Sequence, residues 1–84
     1  SHKALIVDFS AVPFLDSTGA NMIEGLAHKA QKRSVALWLT GASRDIQRVF
    51  VNHGLKRPLV HYAPTVDDAL AQASADNDDR QDAA

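Results

Sequence analysis

Two short, uninterrupted apolar runs most constrain what this chain can fold into. Residues 4–7 read ALIV and residues 35–39 read VALWL, and neither run alternates with polar residues. Runs of this length and composition are typical of strands that are covered on both faces, as in a parallel sheet flanked by helices. We therefore expect a first strand within residues 3–10 and a second within residues 35–41.

Segments with helical periodicity follow each strand. Three apolar stripes have the spacing of amphipathic helices: Met22, Ile23, Leu26, Ala27 and Ala30; then Ile46, Val49, Phe50 and His53; then Val66, Ala69, Leu70 and Ala73. Ser43 and Thr65 are suited to cap the second and third helices, and Gly54 is suited to end the second. With a short third strand at 59–62, strands and helices alternate, which predicts an α/β fold with a mostly parallel sheet.

Composition divides the chain at Ser74. Residues 74–84 read SADNDDRQDAA, with four aspartates and no aliphatic side chain larger than alanine. Such a segment cannot bury enough apolar surface to offset its ordering entropy, so we expect a domain over residues 1–73 and a disordered acidic tail over 74–84. Ser1 and His2 are interpreted as the remnant of an expression tag, which would make the domain an N-terminally truncated fragment.

Composition also argues against several function classes. A formal net charge of −1 gives no electrostatic basis for binding nucleic acid or an anionic membrane surface. No apolar run approaches the ~20 residues that cross a bilayer, so direct membrane insertion is not expected, and the lack of cysteine favours a reducing, cytosolic setting. The four histidines are scattered and no glycine-rich phosphate cradle is present, so we expect no metal, no cofactor and no catalysis.

The main candidate site is Asp16-Ser17-Thr18-Gly19, where the apolar pattern changes from strand to helix. One interpretation is structural: oxygen-bearing side chains accept from the free N–H groups of a first helical turn, and Gly19 eases a tight turn. The other is functional, because a helix N-terminus attracts anions and a phosphate on Ser17 or Thr18 would add about −1.5 to −2 charges there. Both can hold at once. If the second helix neighbours this turn, Arg44 would help to hold an anion.

Three segments, in order, resemble the STAS domain, which is shared by cytoplasmic domains of sulfate transporters and by bacterial anti-sigma-factor antagonists: VPFLDSTGANMIEGL, VALWLTGASRDIQRVFVNHGL and HYAPTVDDALAQA. The resemblance covers residues 3–73 and implies a STAS-like fold whose N-terminal strands are lacking in this sequence. One sheet edge is therefore expected to pair with another segment or chain. The resemblance further implies that Ser17 matches the serine that is phosphorylated in antagonists.

This resemblance is compatible with two functions. The first is a cytosolic regulatory and protein-interaction domain of a SulP-type sulfate or related anion transporter, at the cytoplasmic face of the bacterial inner membrane. Its partners would be the transporter's membrane domain, another protein or a second copy in a homodimer. The second is a stand-alone anti-sigma-factor antagonist that is switched by phosphorylation of Ser17. The segments VPFLDSTG and PTVDDALAQA resemble the transporter branch more closely, so the first is favoured.

Overall fold

The computed structural model describes residues 3–83, with side chains up to residue 75; Ser1 and His2, and with them the predicted tag remnant, lie outside this range. Strands and helices alternate as predicted. The elements are β1 Lys3–Asp8, α1 Ser17–Lys32, β2 Val35–Thr40, α2 Arg44–Asn52, β3 His61–Ala63 and α3 Val66–Ala83. The fold is a small α/β structure with a three-stranded parallel sheet.

The sheet has the strand order β1-β2-β3, which places β2 in the centre. Residues 37–40 of β2 are buried, as predicted for a strand covered on both faces. The same prediction is wrong for β1, in which residues 3–5 are exposed and Ile6 and Val7 are only half-buried. The reason is tertiary: β1 lies at the edge of the described sheet, and α1 packs over β2 rather than over β1.

Each face of the sheet has its own hydrophobic cluster. On the face covered by α1 and α2, Leu37 and Leu39 pack with Phe50, and the rings of Phe9 and Phe50 meet edge to face with centroids 5.1 Å apart. On the opposite face, Trp38 packs with Ala69 of α3. Alternate residues of a strand point to opposite faces, so the single run VALWL supplies both clusters.

The helices bury narrower stripes than the sequence predicts. In α1, Ala20, Ala27 and Ala30 are buried, whereas Met22 is 72% exposed. Consecutive helical residues are separated by about 100°, so Met22 lies beside the buried line rather than on it. In α3, Ala69 is buried but Leu70 is 51% exposed. Small alanines bring both helices close to the sheet, and the larger neighbours are left outside.

The predicted caps of α2 and α3 are present. Ser43 Oγ accepts from Ile46 N at 3.2 Å, and Thr65 Oγ1 accepts from Asp68 N at 3.1 Å. Gly54 ends α2 with a φ of +79°, and the next residue, Leu55, donates to Phe50 O. This arrangement satisfies carbonyls at the helix end and turns Leu55 into the core, where it is fully buried.

Two element boundaries differ from the predictions. The third strand begins at His61 rather than at Leu59, because Leu59 and Val60 donate to Lys56 O in a turn. The backbone of α3 continues to Ala83, across the predicted domain boundary at Ser74. Most of the predicted disordered tail falls on residues whose side chains lie outside the described part, and that boundary stays a prediction.

Candidate functional site

The predicted turn at residues 16–19 starts α1, and Asp16 caps it. Asp16 has an extended backbone, and its Oδ1 accepts from Gly19 N at 2.9 Å. Its carbonyl accepts the first helical hydrogen bond, from Ala20 N at 3.0 Å. The structural interpretation of this tetrapeptide is therefore correct for Asp16, and Ser17, Thr18 and Gly19 form the first turn of the helix itself.

Gly19 has a different role from the one predicted. Its backbone is helical and its φ is not positive. The backbone conformation at this position therefore does not require a glycine. A Cβ at this position would lie 2.8 Å from Leu15 Cδ1. Leu15 packs against the main hydrophobic cluster, so the missing side chain gives it room to lie across the first turn of α1.

Ser17 and Thr18 are both exposed at the positive end of α1. Their N–H groups belong to the first turn, which has no partner inside the helix. This first turn contains no acidic residue, whereas Lys29 and Lys32 lie in the last turn. The helix dipole is therefore complemented at its C-terminus, while at its N-terminus only the Asp16 cap contributes negative charge. An additional anion on Ser17 or Thr18 would meet a favourable potential.

Two large apolar side chains flank this polar turn. Phe14 is 79% exposed and Met22 is 72% exposed. Thr18 and Met22 are four residues apart and share one face of α1. We call the group Phe14, Asp16, Ser17, Thr18 and Met22 the α1 surface. The sequence assigned Met22 to the apolar stripe of α1, because periodicity alone does not show which members of a stripe stay exposed. Phe14 lies before the helix and belongs to no periodic pattern, so its exposure was not predicted.

Arg44 lies at the same edge of the sheet as the turn. Parallel strands end at a common edge, and α1, α2 and α3 all begin there. Arg44 is the first residue of α2 and is exposed. Within the described residues it makes no hydrogen bond or ion pair with the turn. The structure therefore brings Arg44 to the correct edge, and its contact with an anion stays a prediction.

Asp8 forms a hydrogen-bonded junction that the sequence analysis missed. Its carboxylate accepts from Ser10 Oγ at 2.7 Å, from Ser10 N at 3.2 Å and from Thr40 Oγ1 at 3.1 Å. The two hydrogen bonds from Ser10 hold the pKa of Asp8 below its usual value; desolvation opposes them, and the hydrogen bond from Thr40 adds the smallest lowering effect. Gly41, at φ +67°, completes the junction, because a Cβ there would lie 2.8 Å from Asp8 Oδ1. The spacing Asp-x-Ser after an apolar run was the available signal.

A shallow cavity of about 440 Å³ opens at the same edge, between the loops that follow β2 and β3. The described residues that line it are Gly41, Ala42, Gln47, Tyr62, Ala63 and Pro64, none of which carries a charge. The Tyr62 hydroxyl donates to Leu55 O at 2.6 Å, and burial raises the pKa of Tyr62 to about 12.

The histidines described lie apart from the turn. His53 Nδ1 lies 3.5 Å from Glu24 Oε2, which links α2 to α1, and the His61 ring stacks on Trp38 with centroids 4.7 Å apart. His28 is exposed on α1. Among residues 3–75, whose side chains the structure describes, no group of three or more histidine or acidic side chains is arranged to hold a metal ion. No helix within residues 3–83 is both long enough and apolar enough to span a bilayer.

Comparison with known proteins identifies the domain. No curated protein matches this sequence. The family model for the STAS domain matches residues 1–69, which include β1, the capped turn, α1, β2, α2, β3 and the start of α3. The match covers most of the chain and agrees with the α/β architecture. The chain therefore belongs to the STAS domain family.

Proposed function

We propose that this STAS domain is a regulatory, protein-interaction domain that binds its partner through the α1 surface and carries out no catalysis. The observation that most directly supports the proposal is the exposure of Phe14 and Met22 on either side of the capped turn. Complete burial of a Phe or Met side chain contributes about 1.5–3 kcal/mol, which the entropic cost of association offsets in part. The polar turn between them supplies hydroxyls and N–H groups that would fix the orientation of the partner.

The favoured setting is a SulP-type sulfate or related anion transporter, with this domain at the cytoplasmic face of the bacterial inner membrane. Its partner there is the transporter's membrane domain or another protein. The support for this setting is the resemblance of VPFLDSTG and PTVDDALAQA to the transporter branch of the family. In this setting Phe14 and Met22 dock the domain, and charge at Ser17 and Thr18 modulates the docking.

The second candidate function is that of an anti-sigma-factor antagonist switched by phosphorylation of Ser17. It is favoured by the position of Ser17, which is exposed in the first turn of α1 where no acidic residue is present. A phosphate there would be accepted by the helix N-terminus and would place about −1.5 to −2 charges between Phe14 and Met22. Burying that charge against a partner is costly, so phosphorylation would release the complex.

Site-specific photo-cross-linking in the natural gene product tests both candidates. A photoreactive residue replaces Met22, and a control replaces Val51, which is 47% exposed on α2. The transporter proposal expects cross-links from position 22 to a membrane protein, together with altered sulfate uptake by Met22→Asp but not by Val51→Asp. The antagonist proposal expects cross-links to a soluble anti-sigma factor that are lost in Ser17→Asp. Equal cross-linking from positions 22 and 51 would contradict the interaction role itself.

A further inference from the structure

The charges of the chain are divided unevenly along its sequence. Residues 3–75 contain eight lysines and arginines and six acidic residues, whereas residues 76–84 contain four aspartates and one arginine. The formal net charge of −1 therefore arises from the last residues, and residues 3–75 are net positive. The net charge alone does not describe the surface that these residues present, because local patches of one sign act on their own.

Five of the eight cations lie at the amino edge of the sheet, where α1 ends and β3 begins. Lys29 and Lys32 are in the last turn of α1, and Arg33 caps that helix. Lys56 and Arg57 lie in the segment that leads from α2 into β3. All five side chains are exposed. We call these five residues the basic surface.

A hollow of about 390 Å³ connects the two parts of the basic surface. Gln31 and Ser34, at the end of α1, contribute to its lining, and so does Pro58 from the segment before β3. The cations alternate with these residues in sequence and therefore border the hollow. Both parts belong to elements that lie over β2 and β3, inside the described sheet.

The basic surface has no acidic counterpart among residues 3–75. Glu24 lies within α1 and faces His53 at 3.5 Å, and the other acidic residues lie at the opposite, carboxyl edge: Asp8, Asp16, Asp45, Asp67 and Asp68. Within this range none of the five cations forms an ion pair. The dipole of α1 accounts for cations in its last turn. It does not account for Lys56 and Arg57, which lie beyond the end of α2.

We propose that the basic surface binds the anionic headgroups of a phospholipid membrane. The inference rests on the proposed transporter setting, which places the domain at the cytoplasmic face of a membrane. Anionic lipids give that face a negative surface potential, and clusters of about four to eight lysines and arginines are attracted to it. The basic surface has a cluster of this size, and its charges are not neutralised by neighbours among residues 3–75.

The neutral residues around the cations favour a lipid surface over a protein partner. Protein interfaces contain a buried apolar core with aromatic anchors. Neither residues 28–34 nor residues 56–59 include an exposed large apolar side chain. The neutral residues between the cations are Gln31, Ser34 and Pro58, and all three are exposed. Lipid headgroups need no apolar core, because charge alone attracts them.

The basic surface and the α1 surface lie at opposite ends of one helix. α1 has 16 residues, so its two ends are about 24 Å apart. When the amino edge of the sheet rests on the headgroups, Ser17 and Thr18 lie well beyond the Debye length of about 10 Å at 0.1 M salt. The α1 surface therefore stays free for a protein partner, and both surfaces can be occupied together.

Vesicle sedimentation of the whole chain tests the proposal. Vesicles of phosphatidylcholine alone are compared with vesicles that also contain phosphatidylglycerol, and we expect binding to the second kind only, with release at high salt. Lys56→Glu should weaken binding by roughly 25-fold, since each unit of charge near an anionic surface contributes about fivefold. Lys29→Glu, on α1, should act in the same direction. Trp38 fluorescence checks that each variant is folded.

The matched control is Arg44→Glu, which changes the net charge by the same amount at the carboxyl edge. It should weaken vesicle binding far less than Lys56→Glu. Equal weakening by the two variants would overturn the proposal, because net charge rather than the basic surface would then govern binding. Absence of binding to the phosphatidylglycerol vesicles would also overturn it, and binding to duplex DNA in its place would assign the basic surface to a nucleic acid.

A polarity-sensitive dye on a single cysteine tests the orientation, since the chain has no cysteine of its own. Gln31→Cys places the dye beside the basic surface, and Ser17→Cys places it at the other end of α1. We expect phosphatidylglycerol vesicles to change the fluorescence at position 31 and not at position 17. A change at position 17 alone would reject the proposed contact.

Failure of this inference can be distinguished from failure of the proposed function. Vesicle binding can be absent while cross-links from position 22 to a partner persist, and then only the membrane contact is wrong. Vesicle binding with equal cross-linking from positions 22 and 51 would instead contradict the interaction role of the α1 surface.

Discussion

Asp16 shows how one residue can serve both the fold and the site. Its carboxylate accepts from Gly19 N, which fixes the start of α1, and the same cap places Ser17 and Thr18 on the outside of the first turn. The hydroxyls are thus presented by a rigid helix end rather than by a loose loop. Asp16 alone is sufficient to cap α1, so the hydroxyls of Ser17 and Thr18 are not required for capping.

Charge added at Ser17 should stabilise the fold while it disturbs the surface. We expect Ser17→Asp to raise the free energy of unfolding by about 0.3–1 kcal/mol, because the negative side chain complements the positive end of α1. Gln31→Asp, in the last turn of the same helix, is the matched control and should lower it by a similar amount. Urea denaturation of the purified variants measures both. A destabilising Ser17→Asp would show that the N-terminus of α1 does not favour an anion.

The two glycines of α1 should respond differently to alanine. Replacing an exposed helical glycine by alanine stabilises a helix by about 0.5–1 kcal/mol. Gly25→Ala should give this gain, since a Cβ there meets nothing within 4 Å. Gly19→Ala should give less or become destabilising, because Leu15 must move away from its position 2.8 Å from the new Cβ. Equal gains in thermal unfolding experiments would mean that Leu15 does not depend on this space.

At the scale of whole elements, the sequence is informative wherever the signal is local. The period of the apolar residues predicts all six elements, and Ser43, Thr65 and Gly54 are capping residues whose chemistry acts within a few positions. The exposure of Met22 and of β1 could not be predicted in this way, because both depend on which strand α1 covers. The capped turn was predicted from local chemistry, and the exposed Phe14 beside it was not.

The junction between the ends of β1 and β2 should weaken in acid. Because the pKa of Asp8 is lower in the folded state than its unfolded value of 3.8, its stabilising effect is complete above pH 3.8 and is lost as the pH falls through the folded pKa. We expect Asp8→Asn to be less stable than the wild type at neutral pH and the difference to shrink below pH 3.8. Urea denaturation of the wild type and of Asp8→Asn across this pH range measures the difference. A difference that is constant with pH would exclude an ionised Asp8 as the acceptor.

For the molecule as a whole, the small core includes the segment that connects α2 to β3. The segment after α2 returns to the sheet through buried Leu55 and Val60, and the Tyr62 hydroxyl closes it by donating to Leu55 O. This hydrogen bond joins the end of α2 to β3. Tyr62 also packs against the hydrophobic cluster on the face of the sheet covered by α1 and α2. Loss of the phenolic proton therefore removes a hydrogen bond that holds the end of α2 to β3.

Unfolding at alkaline pH should test the hydrogen bond from the Tyr62 hydroxyl to Leu55 O. Burial raises the pKa of Tyr62 from 10.0 to about 12 in the folded protein, so the unfolded chain loses the phenolic proton first as the pH rises. The free energy of unfolding should therefore fall between pH 10 and pH 12. Tyr62→Phe should be less stable at neutral pH by about 0.5–1.5 kcal/mol, the usual contribution of one hydrogen bond, and should lack this component of the alkaline loss. All other side chains are the same in the two proteins, so the difference between their stabilities isolates the contribution of the Tyr62 hydroxyl. If wild type and variant lose stability in parallel from pH 10 to pH 12, the hydroxyl does not hold β3 to the end of α2.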